Sequence, residues 1–167
     1  AWLTTVAADN PFGWWKCNEP EQTVSGTTLN NSGNSGIANN LFWYGTAGST
    51  RQSFGVDFDT YPKMEFYSWA DDITWNTTAP QVGWKNLQIA YDGNLTVRIY
   101  ELGVLVATKT LGGQLNTVLS SNVQIGAITF IPGYFDSNIS QVSMYNRALS
   151  QQEILQNFNA TRFRYGI

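Results

Sequence analysis

The chain has 167 residues, a net charge of −3 at pH 7 and a pI near 4.7. This length suits one domain that buries roughly 70% of its unfolded surface, and no apolar run reaches the roughly 20 residues of a membrane helix. The nine Lys and Arg residues are scattered along the sequence, which argues against nucleic acid or an anionic membrane as partner.

Missing side-chain types exclude several chemistries. The sequence contains no histidine and one cysteine, Cys17. Nucleophile systems built on Ser-His or Cys-His are therefore excluded, and so is an internal disulfide. Strand alternation places Cys17 beside Trp15 on one face, and we interpret its thiol as a core group.

Two aromatic segments near the start of the chain flank a polar loop. Residues 14–17 and 41–44 are typical of strands, whereas residues 25–36 consist mainly of Gly, Asn, Ser and Thr. That composition offers little to bury and several residues that tolerate positive φ, so it predicts a loop.

A first β-hairpin is predicted from two alternating runs, residues 54–58 and 64–69, joined by a short connection that contains Pro62. If Asp59 pairs with Lys63, Asp57 lies opposite Glu65, and the side chains separate into two faces. The core-facing set is Phe54, Val56, Phe58, Met64 and Phe66. The opposite set is Asp57, Asp59, Lys63, Glu65, Tyr67 and Trp69.

A second hairpin is predicted in the middle of the chain. Residues 87–91 and 95–99 alternate around Asp92-Gly93, a pair that favours a tight turn. A following turn at Leu102-Gly103 is less well specified, and Trp84 is predicted to lie in the core.

The closing segment, residues 135–158, is predicted to change from strand to helix. Residues 142–145 alternate as in a half-buried strand. Ser150 and Glu153 have capping-box spacing, and Leu149 and Ile154 have the spacing of a hydrophobic staple, so a helix is expected to begin after Ser150.

These features lead to a family. Residues 139–154, Ile-Ser-Gln-Val-Ser-Met-Tyr-Asn-Arg-Ala-Leu-Ser-Gln-Gln-Glu-Ile, resemble the closing segment of laminin-G-like, concanavalin-A-like jelly-roll modules. Earlier segments of the chain also resemble the family and occur in the family's order, including residues 122–129 as the penultimate strand. The resemblance therefore covers residues 13–158. It implies an all-β fold, a two-sheet antiparallel jelly-roll sandwich with one short C-terminal helix. Residues 1–167 are predicted to form a single such domain.

The polar face of the first hairpin is one candidate ligand site. Aromatic rings adjoin hydrogen-bond acceptors there: Tyr67 and Trp69 beside Asp57, Asp59 and Glu65. Sugars present both C–H faces and hydroxyls, so this combination suits glycan recognition. The alternative is an ordinary polar sheet face on which Lys63 neutralises Asp59.

Aromatic residues at predicted loop positions form a second candidate set. Family members that bind ligands often use the loops at one rim of the sandwich, which makes exposed rim aromatics candidates by resemblance. The set is Trp43, Tyr44, Trp75, Tyr134 and Phe135. Binding roles are predicted for Trp43, Trp75 and Tyr134, and Trp75 is expected to be the most exposed.

Catalysis and metal binding are less well supported. The hydrolase branch of the resembled family carries Glu-x-Asp-x-x-Glu along one strand, and this sequence has no such run. Glycoside hydrolysis needs two carboxylates at defined separation, and only Asp57 and Glu65 face one another, so no catalytic residue is predicted. Asp71, Asp72 and the Asp57/Asp59 pair could contribute to a calcium site, but no metal or other cofactor is predicted.

The resemblance implies a non-catalytic recognition module that is extracellular or exposed on a surface. Residues 156–167 resemble the tails of such modules in bacteriophage structural proteins, which implies a decoration role on a virion surface. Glycans or a host surface would then be the ligand, and other virion proteins or a homo-oligomer the protein partners. The alternatives are a purely structural capsid or tail protein and a glycoside hydrolase relative.

Overall fold

The computed structural model describes residues 13–16, 39–59, 61–78, 83–117, 122–128, 134–135 and 138–167, with only the backbone given for 13–16 and 39. The predictions for Cys17, for the side chain of Trp15 and for the loop at 25–36 lie outside the described residues.

The described residues form short strands followed by one helix. The elements are β1 Gly13–Lys16, β2 Asn39–Gly45, β3 Ser53–Phe58, β4 Lys63–Tyr67, β5 Ile73–Asn76, β6 Leu87–Tyr91, β7 Thr96–Glu101, β8 Val104–Thr110, β9 Gln124–Ile125, β10 Gln141–Met144 and α1 Gln151–Tyr165. The predicted penultimate strand is therefore limited to the two residues of β9, and the helix continues to Tyr165 rather than ending near Phe158.

The strands pair in three antiparallel groups. A five-stranded sheet has the order β5-β4-β3-β2-β9, a three-stranded sheet has the order β6-β7-β8, and β1 pairs with β10. The prediction of an all-β, two-sheet antiparallel sandwich with one C-terminal helix is confirmed.

The main core lies between the two larger sheets. Val56, Met64 and Phe66 of the five-stranded sheet pack with Val97 and Ile99 of the three-stranded sheet, and each is at most 5% exposed. Burying a side chain of this size contributes about 1.5–3 kcal/mol. The alternate positions predicted to face the core thus supply the contacts that hold the sheets together.

The register of the first hairpin agrees with the prediction. Asp57 lies opposite Glu65, Gly55 lies opposite Tyr67, and the Asp59 amide donates to the Lys63 carbonyl at 3.2 Å. Strand β4 ends at Tyr67, however, so Trp69 lies in the turn that follows rather than on the strand.

The middle strands form a meander with two tight turns. The Asp92 carboxylate accepts from the amides of Asn94 and Thr96, both at 2.9 Å, which closes the β6–β7 turn. Between β7 and β8, Leu102 has φ 52° and Gly103 has φ 77°. Positive φ at both central residues is the signature of a type I′ hairpin turn, normally built from Asn-Gly or Asp-Gly.

Helix α1 begins at the predicted capping box. The Ser150 hydroxyl accepts from the Glu153 amide at 3.3 Å, and the Glu153 carboxylate accepts from the Ser150 amide at 2.7 Å. Ile154 packs against Ala90 on the outer face of the three-stranded sheet, with Leu149 beside it. Among the described residues, no helix has the length and apolar character needed to cross a membrane.

Candidate functional site

The candidate ligand site is the side of β3 and β4 that points away from the core, which we call the acidic face. Its side chains are Asp57, Asp59, Lys63, Glu65 and Tyr67. Cross-strand pairing places the Asp57 and Glu65 residues directly opposite one another, at a spacing where their side chains interact. The acidic face therefore concentrates carboxylates beside an aromatic ring.

Asp57 lies at the bottom of the acidic face. Its side chain has no exposed surface, and no hydrogen-bond partner reaches either carboxylate oxygen among the described residues. Burial raises the pKa of Asp57 to about 7; the nearby Tyr67 hydroxyl lowers it and the charge of Glu65 raises it further. A carboxyl group in this setting exchanges its proton near neutral pH.

Glu65 and Tyr67 occupy the more accessible part of the face. Burial raises the pKa of Glu65, and the charge of Asp72 adds to that effect. Burial also raises the pKa of Tyr67, with the charges of Asp57 and Glu65 acting in the same direction. The Tyr67 hydroxyl is therefore a neutral donor next to two carboxyl groups, while the ring edge remains half-buried.

Asp59 and Lys63 pair at the outer end of the face. The Lys63 ammonium lies 2.7 Å from the Asp59 carboxylate, and the two side chains are 44% and 46% exposed. The predicted neutralisation of Asp59 by Lys63 is observed, but an exposed pair of this kind contributes little to stability.

Trp43 lies in strand β2 and not in a rim loop, so its predicted loop position is wrong. Its ring is 2% exposed and covers Gly55, where an added Cβ would lie 2.4 Å from the ring. The Trp43 and Tyr67 rings are 6.4 Å apart between centroids. Only glycine at position 55 allows the indole to lie on the backbone of β3, because any side chain there would occupy the same space.

Trp69 and Ala70 form a strained turn between β4 and β5. Their φ angles are 65° and 69°, a conformation that costs a non-glycine residue roughly 1–2 kcal/mol. The Asp72 carboxylate holds the turn by accepting from the amides of Ser68 and Trp69 at 2.8 and 2.9 Å. Trp69 is thus held at the edge of the acidic face by backbone contacts.

Trp75 is the clearest correction among the predicted site residues. It lies in β5, is 8% exposed and is part of the main core. Its indole N–H donates to the Glu101 carboxylate at 2.9 Å. Flanking Asp, Asn and Thr residues suggested a loop, but a buried acceptor 26 positions later in the sequence accounts for the buried indole.

The last two rim aromatics have different environments. Tyr134 is 80% exposed, as expected for a rim residue. Phe135, by contrast, stacks on Phe58 with a centroid distance of 6.2 Å and packs against the main core. Tyr44, the remaining member of the rim set, lies within β2.

A metal site requires several ligand side chains that lie close together. In the part of the chain that the structure describes, no three His, Cys, Asp or Glu side chains are grouped to hold a metal ion. Asp71, one of the considered calcium ligands, instead contacts Arg51 at 3.3 Å and Lys109 at 3.4 Å. These contacts join the loops that follow β2 and β4 to strand β8.

Sequence reasoning missed the neighbours of the acidic face on the adjacent strands. Thr74 pairs with Glu65, and Asn40 pairs with Asp57. Thr74 and Asn76 are exposed, whereas Ile73 and Trp75 face the core. The alternation of residues 73–76 would have revealed this outward face had the segment been interpreted as a strand.

The family follows from comparison with known sequences. The family described as the concanavalin A-like lectin/glucanases superfamily matches residues 20–155. The chain belongs to this family. No relative was found among curated protein sequences.

Solved structures that match this chain include domains of two bacterial proteins. The CBM40 domain of the Ruminococcus gnavus IT-sialidase is 15% identical, with a TM-score of 0.58 over 78% of this chain and 77% of that domain. A fragment of an S-layer domain-containing protein from Clostridium thermocellum is 19% identical, with a TM-score of 0.41 over 75% of this chain and 64% of that fragment. At 15% identity, the similarity to the CBM40 domain concerns the fold alone.

Proposed function

We propose that the protein is a non-catalytic carbohydrate-binding module whose acidic face takes the glycan. The main observation behind the proposal is that Glu65 and the half-buried Tyr67 lie two residues apart on the same face of β4. A hydrogen-bond acceptor therefore lies beside an apolar ring. This combination matches the hydroxyls and C–H faces of a sugar. The family and the fold similarity to a domain named as a carbohydrate-binding module point in the same direction.

Binding rather than hydrolysis is supported by the burial of Asp57. Glycoside hydrolysis places two carboxyl groups on either side of the scissile bond. Asp57 has no exposed surface, so it and Glu65 do not together flank a bound sugar. We therefore assign Glu65 a role in hydrogen bonding to the ligand.

Removing the Tyr67 ring tests the proposed site. On a glycan array followed by titration calorimetry, Tyr67→Ala should weaken binding of the best glycan by about tenfold or more, as expected for an aromatic contact at the centre of a binding site. Phe163→Ala is the matched control, because it removes an aromatic ring that is 81% exposed on α1, away from the acidic face. Absence of binding to every glycan class, or equal losses in both variants, would refute the proposal.

A structural role is favoured by exposed apolar side chains at the start of β8 and on α1. Val104, Leu155 and Phe163 are 61%, 44% and 81% exposed, and the turn before β8 contacts α1 at Leu155. Exposed apolar side chains of this size are typical of protein–protein contacts. Light scattering after size-exclusion chromatography should show an oligomer if this surface is an interface; a monomer at high concentration would exclude the homo-oligomer.

The location of the protein is proposed from its glycan-binding role. A glycan-binding role implies display outside the cell or on a particle surface. Placement on a bacteriophage virion, with other virion proteins as partners, stays a prediction from the resemblance of residues 156–167.

A further inference from the structure

We propose that the acidic face selects glycans carrying free amino groups, as primary ammonium ions, over their N-acetylated counterparts and over anionic glycans. This inference rests on the proposed carbohydrate-binding function and names the ligand class of the same site.

The charge around Glu65 excludes an anion. The carboxylates of Asp59 and Asp72 act on Glu65 from the residue after β3 and from the turn after β4. Among the described residues, the cation that acts on Glu65 is Lys63, and its ammonium also lies 2.7 Å from Asp59. A sialylated or uronate glycan would therefore bring a like charge to a site whose neighbouring cation is committed elsewhere.

Two further cationic side chains near this end of the sandwich are already in ion pairs. Arg51 and Lys109 both contact Asp71, which in addition accepts from the Gly112 amide at 2.6 Å. The Asp72 carboxylate accepts from two backbone amides, and the Lys109 ammonium donates to the Asp72 backbone carbonyl. Glu65 is in no ion pair among the described residues, so a cationic ligand can supply the opposite charge there.

The buried carboxyl group of Asp57 supports a cationic ligand independently of the charges around Glu65. Neither oxygen has a hydrogen-bond partner in the described part of the chain, and the side chain has no exposed surface. An uncompensated buried carboxylate is strongly unfavourable. An ammonium group bound at Glu65, directly across the strand pair, would supply the missing opposite charge and allow Asp57 to ionise.

The aromatic surface explains why the cation should be part of a sugar. The Tyr67 ring stands beside Glu65 and contacts the buried Trp43 ring. An amino sugar can place its apolar C–H face on the Tyr67 ring and direct its ammonium group to Glu65. A simple amine or an inorganic cation would leave the accessible part of that ring uncovered.

Calorimetric titrations with three oligosaccharides of equal length test the inference. The ligands are a glucosamine oligomer, its N-acetylated form and a sialylated oligosaccharide, used at slightly acidic pH where sugar amines are protonated. We expect the glucosamine oligomer to bind about tenfold or more tightly than the N-acetylated form, because an ionic hydrogen bond replaces a neutral one. Its binding alone should weaken as salt is added.

Glu65→Gln is the decisive variant and Glu153→Gln its matched control. Both changes remove one negative charge, but Glu153 lies on α1 against the other sheet, and glutamine there preserves a capping-box partner. Glu65→Gln should abolish the preference for the amino form, and Glu153→Gln should retain it. The salt dependence of the wild-type protein provides a readout even if Glu65→Gln folds poorly.

The outcomes separate this inference from the proposed function. Equal or tighter binding of the N-acetylated or sialylated ligand, or a preference that survives Glu65→Gln, would overturn the ammonium preference while leaving carbohydrate binding in place. No binding of any of the three ligands, together with silence on a broad glycan array, would overturn both.

Discussion

Asp57 combines complete burial, unpartnered carboxylate oxygens and a pKa near 7. Its neighbours on the acidic face include Tyr67, Glu65 and the cation Lys63 on β4, and Asp59 just after its own strand. Burial dominates because it penalises the charged form; the Tyr67 hydroxyl opposes that effect, and Glu65 and Asp59 each raise the pKa by more than Lys63 lowers it. Such strongly perturbed groups concentrate at functional sites.

The raised pKa makes stability depend on pH in a defined direction. The native state holds the Asp57 proton more tightly than the unfolded chain does, whose pKa is near 3.8. The stability that this proton provides is complete below about pH 4 and is lost as pH rises to about 7. Asp57→Asn removes the titration, so its stability relative to wild type should increase over this range by on the order of 4 kcal/mol.

Chemical denaturation at a series of pH values measures this difference. Asp59→Asn serves as the control, because Asp59 lies just after β3, has a half-exposed side chain and is paired with Lys63. Parallel pH profiles for wild type and Asp57→Asn would show that Asp57 is not the titrating group.

Among the structural elements, the hairpins and the cap were predictable from local pattern. Register in the β3–β4 pair follows from alternation and a short connection, so the pairing of Asp57 with Glu65 was within reach of the sequence. The burial of Trp75 was not predictable, because its neighbours in the sequence are polar and the Glu101 carboxylate that accepts from its indole is distant. Residues 41–44 have the pattern of a strand, but the Gly55 backbone that the Trp43 ring covers is also distant in the sequence. The burial of Asp57 was missed for the same reason: alternation assigns a side chain to a face but cannot say what covers that face.

The capping box is the element whose contribution is easiest to measure. Ser150→Ala removes the acceptor for the Glu153 amide and should lower the free energy of unfolding by about 1 kcal/mol. The Glu153 carboxylate also contacts Arg147 at 2.6 Å, and these partners lower its pKa to about 2. Glycan binding should be unchanged, because α1 packs on the opposite sheet; a loss of affinity together with stability would contradict this separation.

The turn between β7 and β8 places leucine where asparagine is better suited. Leu102 has φ 52°, which is strained for leucine and readily adopted by asparagine in a type I′ turn. Leu102→Asn should therefore raise the free energy of unfolding by about 0.5–1 kcal/mol. Thermal unfolding checks the sign, with Val104→Asn as a control that adds the same side chain at an exposed strand position; equal changes in the two variants would rule out relief of turn strain.

At the scale of the whole molecule, the sandwich depends on polar contacts between the sheets as well as on the apolar core. Glu101 of β7 is 4% exposed and accepts from Trp75 of β5, while its other oxygen accepts from the Thr78 amide at 3.0 Å and hydroxyl at 3.2 Å. A buried carboxylate is tolerated only when it is hydrogen-bonded in this way. The acidic face differs, since Asp57 has no such partners, and this contrast separates a structural carboxylate from the candidate ligand site.

Replacing Trp75 tests this link between the sheets. Trp75→Phe keeps an aromatic ring in the core but leaves one oxygen of buried Glu101 without its donor, so we expect a loss of about 2–4 kcal/mol. Glu101→Gln in the Trp75→Phe background should recover part of that loss, because a neutral amide is less costly to bury. Denaturant unfolding of the wild type, both single variants and the double variant gives the coupling energy between the two residues. Additive effects would mean that Trp75 stabilises the sandwich by ring packing alone, whereas coupling of 1 kcal/mol or more, about the size of a charged hydrogen bond, would show that the indole–carboxylate contact joins the two sheets.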